Sequence, residues 1–103
     1  MSMTVSTHEQ DGKTVVSVAG EVDVSNAGDL RDTLSAVLAQ GESDVQVELS
    51  NVPYIDSTGI GVLVGAAHRA ADANRAFAVL NPQRNVARVL AMLGVDGELG
   101  VGA

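Results

Sequence analysis

The pattern of hydrophobic and polar positions begins with two short extended runs separated by a turn signal. The runs cover residues 4–10 and 13–20 and flank Asp11-Gly12, where glycine can adopt the positive φ angle that two-residue hairpin turns require. The second run is rich in β-branched residues and apolar on both faces, which is typical of a central strand. The pattern therefore predicts a β-hairpin whose second strand lies inside a sheet.

After a loop at residues 20–24, apolar residues recur at intervals of three and four, which indicates a helix. One helical stripe contains Ala27, Leu30, Leu34, Val37 and Leu38. Ser25 and Asn26 are both suited to be the N-cap, and Gly41 is suited to end the helix in the left-handed conformation. Alternation returns over residues 44–49 and predicts a third strand with its apolar side chains on one face.

A second helix is predicted from Ser57 onward, because a loop at residues 53–56 is followed by an apolar run. Its first two turns are apolar almost all round, so we expect them to be buried against the sheet and a neighbouring helix. Ser57 or Thr58 is the expected N-cap, since a short hydroxyl side chain suits that position. Gly61 and Gly65 are four residues apart and would let another backbone come close.

The last third of the chain predicts one more strand and one more helix. Residues 75–80 form the strand, and Asn81-Pro82 supplies an N-cap followed by proline at the first helical position. The inner stripe of the helix is expected to contain Val86, Val89, Leu90 and Leu93. Gly94 followed by Val95 is typical of a glycine stop with its hydrophobic contact.

The predicted order of elements is ββαβαβα, with a short last strand near Glu98-Leu99. Helices between strands of one sheet imply crossover connections, so the helices should pack mainly on one face. The predicted fold class is α/β, with a mixed sheet of four to five strands in a single domain that covers residues 1–103. No repeat, linker or low-complexity segment interrupts the chain.

Composition and charge narrow the classes of function. Hydrophobic residues make up 46% and charged residues 18%, which is typical of a globular protein. The net charge of −7 argues against binding to nucleic acid or to an anionic membrane, and the two aromatic residues, Tyr54 and Phe77, offer little for stacking on bases. The sequence has no cysteine, which excludes a disulfide framework and thiolate metal sites. It has neither a secretory signal nor a membrane-length apolar run, so the expected location is the cytoplasm.

Ser57 is the residue that most suggests chemistry, and its position allows three interpretations: a catalytic nucleophile, a phosphorylation acceptor or a plain helix cap. Position alone favours the cap. A nucleophile needs a base within hydrogen-bond reach, but His68 lies roughly 15 Å farther along the same helix and His8 lies in the first strand. The surrounding sequence also lacks the Gly-x-Ser-x-Gly spacing of a hydrolase. We therefore do not expect an enzyme.

Two acidic residues and a glycine-rich segment lie near this serine. Asp23 and Asp56 could together hold Mg²⁺, but two carboxylates are few for a metal site, and each can instead cap or solvate a turn. Gly59-Ile60-Gly61 opens a helix but lacks the spacing and the lysine of a nucleotide phosphate loop. Neither a metal nor a cofactor is expected.

Three segments occur in an informative order: Gly20-Glu21-Val22-Asp23, Asp56-Ser57-Thr58-Gly59-Ile60-Gly61-Val62 and Leu93-Gly94-Val95. Together they strongly resemble the anti-sigma factor antagonists of bacteria, which are small STAS-domain proteins. The resemblance extends roughly from Val5 to Leu99. The second segment is specific, whereas the first alone would be weak. The resemblance changes the favoured interpretation of Ser57 from a cap to a phosphoacceptor.

The resemblance implies a partner switch. The unmodified protein would bind an anti-sigma factor that is also a serine kinase, which frees the sigma factor. Phosphorylation of Ser57 would release the antagonist, and a separate serine phosphatase would restore it. The implied partner-binding residues are Asp23, Ser25, Asp56, Ser57, Thr58, Gly59 and Gly61. Family members usually carry a further helix after the last strand, so residues 94–103 are expected to fray.

Two other hypotheses are open at this stage. The chain could be a STAS subunit of another assembly, such as a stress-signalling complex or a lipid-transport ATPase, without a phosphorylation switch. It could also be an enzyme or a nucleotide-binding protein, which micromolar binding of ATP or GTP to the isolated chain would indicate.

Overall fold

The computed structural model describes residues 3–101 and contains the predicted order of strands and helices. The elements in chain order are β1 (Thr4–Gln10), β2 (Lys13–Ala19), α1 (Ala27–Ala39), β3 (Val45–Asn51), α2 (Ser57–Asp72), β4 (Phe77–Leu80) and α3 (Arg84–Met92). Four strands form one sheet in the order β1-β2-β3-β4, so the predicted mixed sheet with β2 inside it is confirmed. Between residues 3 and 101, no helix is both long and apolar enough to cross a membrane.

The hairpin and the parallel pairings align three valines across the sheet. β1 and β2 are antiparallel and are joined by Asp11 and Gly12, whose φ angles of 54° and 77° are the pair of positive angles expected of a two-residue hairpin turn. β2 is parallel to β3 and β3 to β4, with Val16 opposite Val47 and Val47 opposite Val79. All three valines are fully buried, so this row forms the base of the core.

The helices pack on the face of the sheet that carries these valines. Their contributions to the same core include Leu30, Leu34, Ile60, Leu63, Val86 and Leu90. Because side chains alternate along a strand, Gln46 and Glu48 of β3 point to the opposite face, where they are partly buried. The prediction that the helices lie mainly on one face is confirmed.

Helix α3 begins later than predicted and ends where predicted. Its N-cap is Gln83 and not Asn81, which has a φ of 53° and donates a hydrogen bond from its Nδ2 to Glu48 Oε2 at 2.9 Å. The side chain predicted to cap the helix therefore bonds to β3 instead. At the other end, the N–H groups of Gly94 and Val95 bond back to carbonyl groups of the last turn, and Gly94 has a φ of 71°. The predicted glycine stop is confirmed.

The inner stripe of α3 is narrower than predicted. Val86 and Leu90 are buried, but Val89 and Leu93 are 40% and 56% exposed. The helix has only nine residues and contacts the rest of the domain along one row four residues apart. The prediction is therefore wrong for Val89 and Leu93.

Arg75, predicted as the first residue of the fourth strand, precedes β4 and is 6% exposed. Its Nε donates to the Ser43 carbonyl at 2.6 Å, and its Nη1 lies 3.2–3.3 Å from the carbonyls of Val37, Leu38 and Gln40. The last carbonyl groups of a helix have no partner within the helix. One guanidinium group therefore closes the carboxyl end of α1.

The segment after α3 forms turns and not the predicted short strand. Leu99 is fully buried, and its carbonyl accepts a hydrogen bond from the Val79 N–H at 2.9 Å. Gly100 packs so closely that an added Cβ would lie 2.6 Å from the Phe77 carbonyl oxygen. This segment therefore covers the outer edge of β4. Residues 102–103, the end of the stretch predicted to fray, lie outside the described residues.

Candidate functional site at the start of helix α2

Two loops lie side by side where β2 and β3 end. A single parallel bridge joins Val22 to Ile55: the Val22 N–H donates to the Tyr54 carbonyl, and the Asp56 N–H donates to the Val22 carbonyl, both at 3.0 Å. Asp23 and Asp56 directly follow the bridged residues on neighbouring segments, whose backbones are about 5 Å apart in a sheet. The structure thus brings together two acids that are distant in the sequence.

Asp56 is the N-cap of α2, so the prediction of Ser57 or Thr58 is wrong. Its Oδ1 accepts a hydrogen bond from the Gly59 N–H at 3.0 Å, and its φ and ψ of −93° and −179° belong to an extended residue outside the helix. Aspartate, serine and threonine can all cap a helix. Asp56 adds a negative charge at the positive end of the helix, which favours the carboxylate.

Ser57 becomes the first residue of α2, and its side chain is exposed. Within residues 3–101, neither the Ser57 hydroxyl nor the Thr58 hydroxyl takes part in a hydrogen bond, because the capping bond is made by Asp56. Unpaired N–H groups and aligned peptide dipoles at a helix start stabilise negative charge. A phosphoryl group could therefore be added to Ser57 without breaking an internal bond.

The first loop is held by its own polar side chains. Asp23 Oδ1 accepts hydrogen bonds from the Ser25 N–H at 2.9 Å and from the Ser25 hydroxyl at 2.5 Å. Asn26 accepts from the Asp23 N–H and donates to the Glu21 carbonyl, both at 2.9 Å. Asn26 occupies the N-cap position of α1 as predicted, but its side chain makes no capping bond because it is used within the loop.

The bonds to Asp23 also affect its ionisation. The Ser25 hydroxyl, and after it the Ser25 N–H, hold the pKa of the Asp23 carboxyl below its ordinary value. Asp23 therefore remains negatively charged at neutral pH. Together with Asp56, it makes this end of the molecule acidic.

The glycines of α2 divide into one that is buried and two that are exposed. Gly59 faces the paired loops, where an added Cβ would lie 2.7 Å from side-chain carbons of both Val22 and Ile55. Gly61 and Gly65 are exposed, and an added Cβ at either would meet nothing within 4 Å in the described part of the chain. Close packing therefore occurs at Gly59, and no backbone of residues 3–101 uses the space that Gly61 and Gly65 leave.

Two exposed apolar side chains lie in the same loops and were missed as site residues in the sequence. Val24 is 75% exposed and follows Asp23, and Tyr54 is 51% exposed and lies just before Asp56. The sequence could have indicated them, because both are large apolar residues in loops next to the candidate phosphorylation site. Exposed apolar residues of this kind often form part of a protein–protein interface. We call the surface around the Ser57 hydroxyl the loop surface: Asp23, Val24, Ser25, Tyr54, Asp56, Ser57 and Thr58.

The described residues offer Ser57 no histidine base. His68 is exposed near the far end of α2, and its Nε2 lies 2.6 Å from Glu98 Oε2, so the prediction of a helix-surface residue is confirmed. No group of three or more histidine, aspartate or glutamate side chains within residues 3–101 could hold a metal ion. The loop surface presents an exposed serine hydroxyl, two acids and two apolar side chains.

Comparison with known proteins places the chain in a family. A family model described as "Mlab, STAS domain" matches residues 5–101. The chain belongs to the STAS domain family. It is also 30% identical over 95 residues to the anti-sigma-B factor antagonist of Staphylococcus aureus (strain NCTC 8325 / PS 47), a match that covers 92% of this chain and 88% of the relative. The STAS resemblance noted in the sequence is confirmed.

Solved structures of STAS proteins have the same fold. An anti-sigma factor antagonist from Mycobacterium paratuberculosis aligns with a TM-score of 0.87 at 27% identity, covering 97% of this chain and 85% of the other. The anti-sigma factor antagonist SpoIIAA in its unphosphorylated form aligns with a TM-score of 0.80 at 18% identity, covering 97% of this chain and 89% of the other. At that identity, the second likeness concerns the fold alone.

Proposed function

We propose that this STAS domain is an anti-sigma factor antagonist controlled by phosphorylation of Ser57. The unmodified chain binds an anti-sigma factor that is also a serine kinase, and this binding frees the sigma factor. The observation that carries the proposal is the Ser57 hydroxyl, which is exposed at the first position of α2 while the neighbouring Asp56 caps the helix. The S. aureus relative, named an anti-sigma-B factor antagonist, supports the same function.

The chemical step is a phosphoryl transfer in which this chain is the substrate. The kinase transfers the γ-phosphoryl group of ATP to Ser57 Oγ: the bond to ADP breaks, the bond to the serine oxygen forms, and the serine proton leaves. A serine phosphatase later hydrolyses the ester to serine and inorganic phosphate. SpoIIAA is known in a phosphorylated form as well, so this fold accommodates a phosphoryl group.

Phosphorylation acts on the interface and leaves the fold intact. A phosphoryl group carries a charge of about −1.5 to −2, which the start of α2 stabilises. A partner group packed on Ser57 would instead meet that charge beside Asp23 and Asp56, with repulsion and the cost of desolvating the phosphate. A loss of about 3–4 kcal/mol would weaken binding by roughly 200- to 1,000-fold, which is sufficient to exchange partners.

The residues around Ser57 have different roles in this proposal. Asp23, Ser25 and Thr58 contact the partner directly, with Gly61 one helical turn farther along. Asp56 presents the acceptor by capping the helix. Gly59 is buried and supports the surface from beneath, because only a glycine there lets α2 approach the paired loops.

The test uses the source organism's anti-sigma factors of the serine-kinase class. Each is incubated with the chain and ATP, followed by intact-mass measurement, site mapping and calorimetric measurement of binding. We expect one phosphoryl group, on Ser57. We expect Ser57→Ala to bind like the wild type without being modified, and Ser57→Asp to bind at least about 100-fold more weakly.

Thr58→Ala is the matched control for the site of modification, because it removes the adjacent exposed hydroxyl. The lost contact should weaken binding, but the phosphoryl group should still map to Ser57. All three variants should unfold within about 0.5 kcal/mol of the wild type, since neither hydroxyl makes an internal bond. Equal binding by Ser57→Ala and Ser57→Asp, or modification mapped to Thr58, would contradict the proposal.

A second candidate function is a STAS subunit of another assembly, such as a lipid-transport ATPase or a stress-signalling complex. The observation that favours it is the description of the matching family model, which names Mlab. In that case, purification from the source organism would recover the chain in a stable complex without an anti-sigma factor, and Ser57 would carry no phosphate under any growth condition.

A further inference from the structure

A groove runs between α1 and α2 and begins beside the loop surface, with which it shares one residue. It has a volume of about 420 Å³ and is lined by Arg31, Thr58, Gly61, Val62, Gly65 and Arg69. We call it the α1–α2 groove. Thr58 belongs to both surfaces, so the groove continues directly from the surface around Ser57. From Thr58 to Arg69 the groove extends about 16 Å along α2, which is the length of three helical turns.

The α2 face of the groove has two glycines where side chains would usually cover a helix. Glycine in the interior of an exposed helix makes that helix less stable than alanine would. Gly61 and Gly65 both stand on this face, and nothing within residues 3–101 occupies the space beside them. Two glycines on one helix face allow a second helix to approach closely. Packing inside the described domain does not account for them.

The groove also differs in charge from the rest of the molecule. The chain has a net charge of −7, yet the groove contains two arginines and no acidic residue. Arg69 Nη1 donates to the neutral Ser35 hydroxyl at 2.9 Å, and within residues 3–101 neither arginine forms a salt bridge. A cationic groove in an acidic protein complements a negatively charged partner.

We propose that the α1–α2 groove receives an acidic helix of the anti-sigma factor, which packs on Gly61 and Gly65 with its carboxylates on Arg31 and Arg69. The inference rests on the proposed function and adds a second contact to the same partner. The acidic loop surface favours basic partner groups, whereas the groove favours acidic ones. Because the two surfaces have opposite charges, they can bind the anti-sigma factor in only one orientation along α2.

The test measures calorimetric binding of the anti-sigma factor to variants of the groove and to matched controls. Arg31→Glu and Arg69→Glu should each weaken binding by about 5- to 10-fold, as expected for reversing a charge at the rim of an interface. Arg88→Glu makes the same change on an exposed face of α3 and should alter affinity less than about twofold.

A second pair of variants separates binding from folding. Gly65→Leu places a side chain in the groove and should weaken binding by about 10-fold or more. The same variant should raise the melting temperature by roughly 2–8 °C, because a helix-disfavouring glycine is removed. Ala71→Leu adds similar bulk to an exposed position of α2 outside the groove and should leave affinity unchanged.

The outcomes distinguish the two proposals. If the wild-type chain binds the anti-sigma factor and both Gly65→Leu and Arg31→Glu bind equally well, the groove inference is overturned and the proposed function stands. If the wild-type chain binds none of the serine-kinase anti-sigma factors of its organism, the proposed function fails and the groove inference fails with it. Weaker binding by the groove variants together with unchanged binding by Arg88→Glu and Ala71→Leu supports the inference.

Discussion

At the end of the sheet where β3 begins, polar groups are buried and bonded across long sequence distances. Arg75 is the centre of that end, with hydrogen bonds to four carbonyl groups around the end of α1. At the end where β3 stops, polar groups are exposed and bonded mainly within their own loops, as in the bond from Ser25 to Asp23. We call these the Arg75 end and the Ser57 end.

The difference separates the residues that stabilise the fold from those of the proposed binding site, at opposite ends of β3. A buried donor whose partners lie far away in the sequence ties segments together, so its loss affects the whole fold. An exposed hydroxyl without internal partners can be modified without such loss. The comparison therefore predicts that changes at the Arg75 end alter unfolding, whereas changes at the surface of the Ser57 end alter binding.

The largest effect on stability is expected for Arg75→Leu. Leucine replaces the volume but leaves four partly buried carbonyl groups without this donor. At about 1–3 kcal/mol for each carbonyl group that loses its partner, the free energy of unfolding should fall by about 3–5 kcal/mol in denaturant titration. The exposed Arg84→Leu should change it by less than about 0.5 kcal/mol. Phosphorylation of Ser57 in the folded fraction of Arg75→Leu should proceed at the wild-type rate. Equal stability of the two variants would remove the contrast between the ends.

A smaller effect is expected for Gly59→Ala, which tests whether the Ser57 end contains a structural position of its own. The added Cβ would lie 2.7 Å from Val22 and Ile55, so the variant should lose about 1–3 kcal/mol of unfolding free energy as the paired loops shift. Gly65→Ala on the exposed face of the same helix should gain about 0.5–1 kcal/mol. A gain in stability for Gly59→Ala would show that Gly59 is not closely packed.

Asp56→Ala should cost about 1 kcal/mol, the usual value of a helix N-cap. Ser57→Ala should cost almost nothing, because Ser57 makes no capping bond among the described residues. Thermal unfolding of the two variants side by side measures the difference. If Ser57→Ala were the more destabilising, serine and not aspartate would be the cap in solution, and the acceptor hydroxyl would not be available for modification.

The smallest effect is expected on the pH dependence of stability and involves Glu48, which lies in β3 between the two ends. Burial acts to raise the pKa of Glu48, but hydrogen bonds from Ser50 and Asn81 outweigh it and hold that pKa below its ordinary value of 4.5. Glu48 therefore contributes stability that is present above pH 4.5 and lost as the pH falls through the lowered pKa. Glu48→Gln should flatten the acid side of the stability curve, measured as the free energy of unfolding against pH. An unchanged acid side would contradict this role.

The sequence predicted all four strands and three helices because periodicity and turn residues are local signals. Gly94, for example, ends α3 with a positive φ angle as predicted. Gly41 also has a positive φ angle, but α1 ends before it, because Gln40 is already extended. The errors arose where neighbouring residues compete for one role. Asp56, Ser57 and Thr58 can all cap a helix, and the structure shows that Asp56 does so, where its charge is favoured by the helix dipole.

The candidate site was predicted in part. The motif located Ser57 and its acids in two different loops, but it could not show that Val24 and Tyr54 are exposed beside them. The α1–α2 groove could not be predicted from the sequence either, because Arg31 and Arg69 become neighbours only when α1 packs on α2. Arg75 was assigned to a strand for the same reason: its hydrogen-bond partners lie more than thirty residues away.

The turn that contains Leu99 covers one edge of the sheet and leaves the opposite edge open to strand pairing. Within residues 3–101, β4 is covered by that turn, whereas β1 pairs with β2 alone. Edge strands without cover are the places where separate molecules add to one another. Two molecules joined through β1 would each have used the one edge that is uncovered within residues 3–101, so an association through strand pairing closes at a pair.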